Sequence, residues 1–193
     1  MTRLELHTWN SDMYKKGKGS MYVILMAAML VPSFTLRAQP KAVGASFSFT
    51  GISVSYEHSL SNDNAFIETS LKAECCEAFS SRAEYPGISA SATWNVILKQ
   101  WSSSEGNSLR LFAGPGAIIG YGRDFKSKDG LIFGLKGRVG IECEFSRNVT
   151  ISALISPVIG SHFTFEGNFV SMKYYRNGLQ YGLVPEVGIK YSF

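Results

Sequence analysis

The chain has 193 residues, enough for one domain with a full core, and it is rich in Gly, Ser and aromatics. With no helix-favouring heptads, this composition favours an all-β fold. The formal charge of +4 is no sign of a nucleic-acid partner: residues 1–38 hold five of the 19 basic and two of the 15 acidic residues, leaving 14 against 13.

Taken in chain order, the first feature is a targeting signal. Lys15, Lys16 and Lys18 form a basic n-region, residues 21–36 an apolar h-region, and Ala38 a small residue ahead of Gln39. This predicts a signal peptide cleaved between Ala38 and Gln39, although Leu36 at the −3 position is larger than the rule prefers. A membrane anchor helix is disfavoured, because the run is short and Pro32 interrupts it. Residues 1–12 are unlike an n-region, which makes Met13 an alternative start to Met1. No Cys follows the cleavage site, against a lipoprotein anchor. The expected organisation is a leader over 1–38 and one domain over 39–193.

From there the chain alternates with a period of two, the signature of strands with one apolar face. Strands are expected over 42–49, 52–60, 65–79, 88–101, 109–121, 131–145, 149–163 and 179–193. Polar turns at Ser61, Asn62, Asp63 and Asn64 and at Ser146, Arg147 and Asn148 contrast with longer links at 80–86, 123–129 and 166–177. The 102–107 turn is longer than that pattern requires. Most of the eight strands run to 10–15 residues. Soluble strands average about 5–6 residues, whereas a tilted membrane strand needs roughly 9–11.

The charges share one phase. Glu68, Lys72, Glu74, Arg110, Lys136, Arg138, Glu142, Glu144, Glu186 and Lys190 all lie opposite the apolar face, five acids and five bases. In a soluble sandwich that face meets water; in a barrel in lipid it lines the lumen and the apolar face turns outward. Periodicity alone does not separate the two. Signal peptide, strand length, charge balance and the terminal aromatic together favour an eight-stranded antiparallel up-and-down transmembrane β-barrel. A secreted soluble sandwich is the alternative fold.

The segment 131–163 followed by GLVPEVGIKYSF (182–193) resembles the last strands of OmpA-like small outer-membrane barrels of Gram-negative bacteria. GISVSYEHSL (51–60) and LFAGPGAIIGYG (111–122) resemble Gly-rich strands of the same group, and the likeness spans roughly 40–193. It implies a location in the cell outer membrane, reached through the periplasm, in contact with outer-membrane lipid and lipopolysaccharide. It also implies that Ile189, Tyr191 and Phe193 form the C-terminal signal read by the barrel-assembly machinery.

An eight-stranded barrel is just wide enough for side chains to fill it, so the ten lumen charges are expected to pair and close the interior. The expected role is structural or surface-interacting, in a monomer. A narrow gated pore is one alternative, and a lipid A-modifying enzyme another. For the enzyme, His162 is the best base, with Ser161, Thr164 and Glu166 nearby, but Ser161 faces the opposite side of a strand. No catalytic residue and no cofactor is assigned. Cys75 and Cys76 would face opposite sides of a strand, and Cys143 lies three strands away, so neither a disulfide nor a metal site is expected. Trp101, Phe145 and Phe193 are expected at one membrane interface, and Phe79, Tyr85, Tyr121, Phe125, Phe163 and Phe165 at the other. The 166–177 loop, with Phe169, Tyr174, Tyr175, Lys173 and Arg176, is a candidate contact for a surface partner or for lipopolysaccharide phosphates.

Overall fold

A computed structural model describes residues 41–60, 64–102, 107–125, 127–146, 148–166 and 169–193. The expected signal peptide, its Ala38 and Gln39 junction, Arg147 and most of the 61–64 and 102–107 turns lie outside these residues.

Ten strand segments form one antiparallel sheet: β1 (Lys41–Ser48), β2 (Gly51–Ser59), β3 (Ala65–Glu74), β4 (Gly87–Ser102), β5 (Ser108–Arg123), β6 (Asp129–Ser146), β7 (Val149–Ile155), β8 (Val158–Glu166), β9 (Phe169–Tyr174) and β10 (Glu186–Ser192). Neighbours run β1 to β6 in chain order; β6 then pairs with β7, β7 with β10, and β10 with β1. The result, among the described residues, is a ring of eight strands each paired on both sides. The β8–β9 hairpin extends the ring by pairing β8 with the first half of β6, Leu131 opposite Phe163.

Alternation sets the two faces. Phe47, Ile52, Leu71, Trp94, Ile119, Phe133, Leu135, Ile159 and Ile189 are exposed on the outside. Among the described residues, twenty polar or charged residues are buried against nine hydrophobic ones. A water-soluble domain buries mainly apolar side chains, so this distribution is inverted. The apolar interior is confined to two small clusters. Phe66, Phe112 and Leu154 form one, with Ile97 against it, and Ile118, Ile132, Val158 and Tyr175 form the other.

Four expectations need correction. The third strand does not continue to residue 79: β3 stops at Glu74, and α1 (Cys76–Phe79) follows. Cys75 and Cys76 therefore leave the strand together, and the argument that they face opposite sides of a strand does not apply. The seventh strand is split at Ser156 and Pro157, because proline has no N–H for a ladder. The Pro157 carbonyl accepts from Gly137 N at 2.8 Å, and Ser156 N donates to the Gly182 carbonyl at 2.9 Å, which carries the wall across the break. The 166–177 link contains β9. The closing strand begins at Glu186 rather than 179, after α2 (Asn177–Gln180) and a turn.

The β1–β2 hairpin turns at Phe49 and Thr50 and β2 starts at Gly51, where φ is +152° and an added Cβ would lie 1.8 Å from the Ala73 carbonyl oxygen. Gly51→Ala is expected to cost about 1–3 kcal/mol through strain and backbone displacement, read as a lower urea midpoint in detergent.

Candidate functional site

The lumen is built from short side chains on the walls and long charged ones across the centre. Ser46 and Ser53 share a hydrogen bond of 2.7 Å, and Ser70 and Ser91 one of 2.8 Å. These small residues leave room for six charged groups on five strands.

Lys190, on β10, is 4% exposed, and its Nζ lies 2.5 Å from Glu57 Oε2, 2.7 Å from Glu68 Oε2 and 2.6 Å from Glu142 Oε1. Each carboxylate also meets an arginine. Arg110 Nη2 is 2.8 Å from Glu57 and its Nε 2.5 Å from Glu142, while Arg138 pairs with Glu68. Three acids and three bases thus form one neutral cluster, the arrangement that buried charges require. It rests on aromatic faces. The cations of Arg110 and Lys190 lie 5.1 and 5.3 Å from the Phe66 ring centroid, and that of Arg138 lies 5.5 Å from Phe112. Phe66 and Phe112 meet edge to face at 5.3 Å. Gly140 makes space for this pair, since a Cβ there would lie 2.9 Å from the Phe112 ring tip.

A second group lies toward the loops. Lys72 Nζ donates to Thr50 Oγ1 at 2.6 Å and to Glu186 Oε1 at 3.1 Å, with Glu74 at 3.8 Å. Lys136 donates to Ser91 Oγ at 2.9 Å. Glu144 accepts from Ser108 Oγ at 2.7 Å, near the opposite rim. The ten charges read from the sequence therefore fall into a central cluster of five (Glu68, Arg110, Arg138, Glu142, Lys190), a loop-side trio (Lys72, Glu74, Glu186) and two members bonded to serines.

Sequence reasoning missed Glu57, Phe66 and Phe112. Glu57 carries a readable signal, because it shares the phase of Ser53 and Ser55 opposite Ile52, Val54 and Tyr56. The carboxylates of Glu57, Glu68 and Glu142 converge as a metal site would, within 4.8 Å of one another. The ammonium of Lys190 stands among them and supplies the cation from the chain itself.

At the loop end, α1, the β5–β6 link and α2 fasten together. Asp124 accepts the backbone N–H groups of Arg176 (3.1 Å) and Asn177 (2.9 Å), and Asn177 Nδ2 donates to Glu77 Oε1 at 3.1 Å. Arg82 lies 3.6 Å from Glu77 and stacks 5.0 Å from the Phe125 ring. Burial pushes the Tyr175 phenol well above its usual range and raises the Cys76 thiol, so both remain neutral there. The candidate base His162 is fully buried. Its Nε2 lies 2.9 Å from the Gly122 carbonyl and so carries a proton there, and its Nδ1 lies 3.1 Å from Ser127 Oγ. Ser161 lies in the opposite strand phase, while Thr164 shares the inward one. Cys143 is exposed on the outer face. Of the expected rim aromatics, Trp101, Phe145, Phe193, Phe79, Tyr85, Tyr121 and Phe165 are exposed.

No family model matches the chain, and no curated protein matches it. Among solved structures, the N-terminal β-barrel domain of Pseudomonas aeruginosa OprF aligns at 12% identity over 80% of this chain and 96% of that one, with a TM-score of 0.46. Neisserial surface protein A aligns at 13% over 80% and 94%, TM-score 0.38. The Yersinia pestis outer membrane protein Ail aligns at 14% over 80% and 98%, TM-score 0.32. On its own strand ring and the polarity of its two faces, the protein is an all-β, closed eight-stranded antiparallel barrel with an ion-paired interior and an apolar exterior.

Proposed function

We propose that the protein is an integral outer-membrane β-barrel whose interior is closed by its own side chains, and that it serves as a structural or surface-contact element of the envelope. The observation that carries this reading is the inversion of polarity. A closed ring that turns Phe47, Phe133, Leu135 and Ile189 outward and folds six charges inward suits lipid, where each backbone group must be bonded within the wall. The three-acid, three-base cluster lies across the lumen on a floor of Phe66 and Phe112, which favours a plug over a conduit. Both ring nitrogens of His162 are engaged within the protein, which favours a structural place for it over general-base chemistry.

The surface-contact part rests on β9. Phe169, Val170, Met172 and Tyr174 are exposed beyond the ring, and Lys173 and Arg176 are exposed beside them. Such a patch suits lipopolysaccharide or a protein at the cell surface.

Envelope fractionation of an expressing Gram-negative strain is expected to recover the chain with the outer membrane, in a form whose gel mobility changes on boiling. Purified into planar bilayers, it is expected to be silent at all voltages. Recovery as a dispersed protein in plain buffer would sink the membrane reading, and steady conductance steps would sink the plug.

A further inference from the structure

The loop end of the barrel encloses a cavity of about 50 Å³. That is room for roughly three or four water molecules, or for a group of similar size. Glu77 and Asn177 come to its wall from α1 and α2, and Ser156 comes from the strand break; Tyr175, Tyr181 and Tyr85 complete it. Tyr85 is 78% exposed, so the cavity reaches the surface at that side.

Three side chains on this wall are each 6% exposed and carry a polar atom with no hydrogen-bond partner among the described residues: Glu77 Oε2, Asn177 Oδ1 and Ser156 Oγ. Buried polar atoms are rarely left so, and three around one small space point to something that enters it. A carboxylate oxygen and an amide oxygen accept but do not donate, and a serine hydroxyl also accepts. The wall therefore calls for donors. Arg123 Nε, an unpartnered donor beside it, is turned to the Asp129 carboxylate at 3.8 Å. Charge agrees. Glu74, Glu77 and Glu186 line the cavity beside Lys72 and Arg123. Lys72 is committed to Glu186 and Glu74, Arg123 to Asp129, and Arg82 meets Glu77 through Oε1, which leaves Glu77 Oε2 without a hydrogen-bond partner.

We propose that this cavity binds a primary ammonium group, the end of a small free amine or of a lipid headgroup. Its N–H bonds are the donors that Glu77 Oε2, Asn177 Oδ1 and Ser156 Oγ lack, and tyrosines in the wall suit a cation. A quaternary ammonium has no N–H to offer, and an anion meets the unpartnered carboxylate oxygen of Glu77. The inference stands on the cavity and does not need the outer-membrane reading.

The test is calorimetric titration of the detergent-folded full chain with ethanolamine, beside choline as the comparator. Saturable one-to-one binding of ethanolamine is expected, with choline at least about tenfold weaker. Glu77→Gln is expected to weaken ethanolamine binding by about tenfold or more and Ser156→Ala by about threefold, with heat-modifiable mobility kept in both. If Glu77→Gln does not fold, folded Ser156→Ala decides. Binding of nothing by a folded chain, equal binding of choline, or variants that bind as the parent does would overturn the proposal. Nanodiscs of phosphatidylcholine with and without phosphatidylethanolamine separate the sources. Weaker ethanolamine uptake in the discs that contain phosphatidylethanolamine assigns a headgroup, and equal uptake assigns a free amine.

Discussion

Lys190→Met is expected to cost about 3–5 kcal/mol, the scale of breaking one partner out of a buried ion cluster. The reason is geometric. Glu57, Glu68 and Glu142 all direct an oxygen at the ammonium within 2.5–2.7 Å, and these carboxylates are 0–4% exposed. Removing the cation leaves three carboxylates facing two arginines in a space with little water. Methionine keeps the length of the stem, so the loss is electrostatic rather than a packing defect. Urea unfolding in detergent, followed by the heat-modifiable gel shift, measures it. Adding Glu57→Gln to the variant is expected to recover part of the loss, because it removes one of the stranded charges, and a double-mutant cycle reads the coupling. A Lys190→Met midpoint within error of the parent would remove the cluster from any account of stability.

The second large effect lies on the outer face. Leu135 is 71% exposed near the middle of β6, with Ala117 and Ile159 as its register partners and Phe133 and Ile119 close by on the same face. In lipid, Leu135→Arg places a charge near the bilayer midplane and is expected to cost about 2–4 kcal/mol. On a water-facing surface the same change falls within about ±0.5 kcal/mol. The folded fraction recovered in phospholipid vesicles distinguishes the two. Folding of the variant as efficiently as the parent would mean that this face meets water.

Much of the wall was legible because a strand states its phase locally. Ile67, Thr69 and Leu71 outward and Glu68, Ser70 and Lys72 inward follow from alternation, and so do the corresponding sets on β5, β6 and β10. What alternation does not carry is who meets whom across the ring. The contacts of Lys190 with Glu57 and Glu68 span 133 and 122 residues, and only closure of the barrel brings them together. Phe66 and Phe112 share the polar phase, and their place beneath the cations depends on the facing wall at Gly140 and Leu154. Pro157 is a strand breaker by its chemistry, but it sits inside a long apolar run, 149–163, that reads as one strand. The departures at α1 and β9 depend on partners far away in sequence: Glu77 answers to Asn177, and β9 to β8.

The staves of this ring are unequal in length. β10, β1, β2 and β3 have 7, 8, 9 and 10 residues, whereas β4, β5 and β6 have 16, 16 and 18. At roughly 3.3 Å per residue and a tilt of about 35–45°, β10 stands about 16–19 Å tall and β6 about 42–49 Å. The apolar band of outer-membrane barrels is about 25 Å tall, so in the membrane proposed for this protein one flank falls short of the acyl layer while the β4–β6 flank overshoots it. A bilayer answers such hydrophobic mismatch by thinning locally or by letting the body lean. In that proposed setting, acyl chains beside β10 and β1 are compressed, and that sector is the favoured neighbour for short-chain lipids or for another protein with an equally low wall.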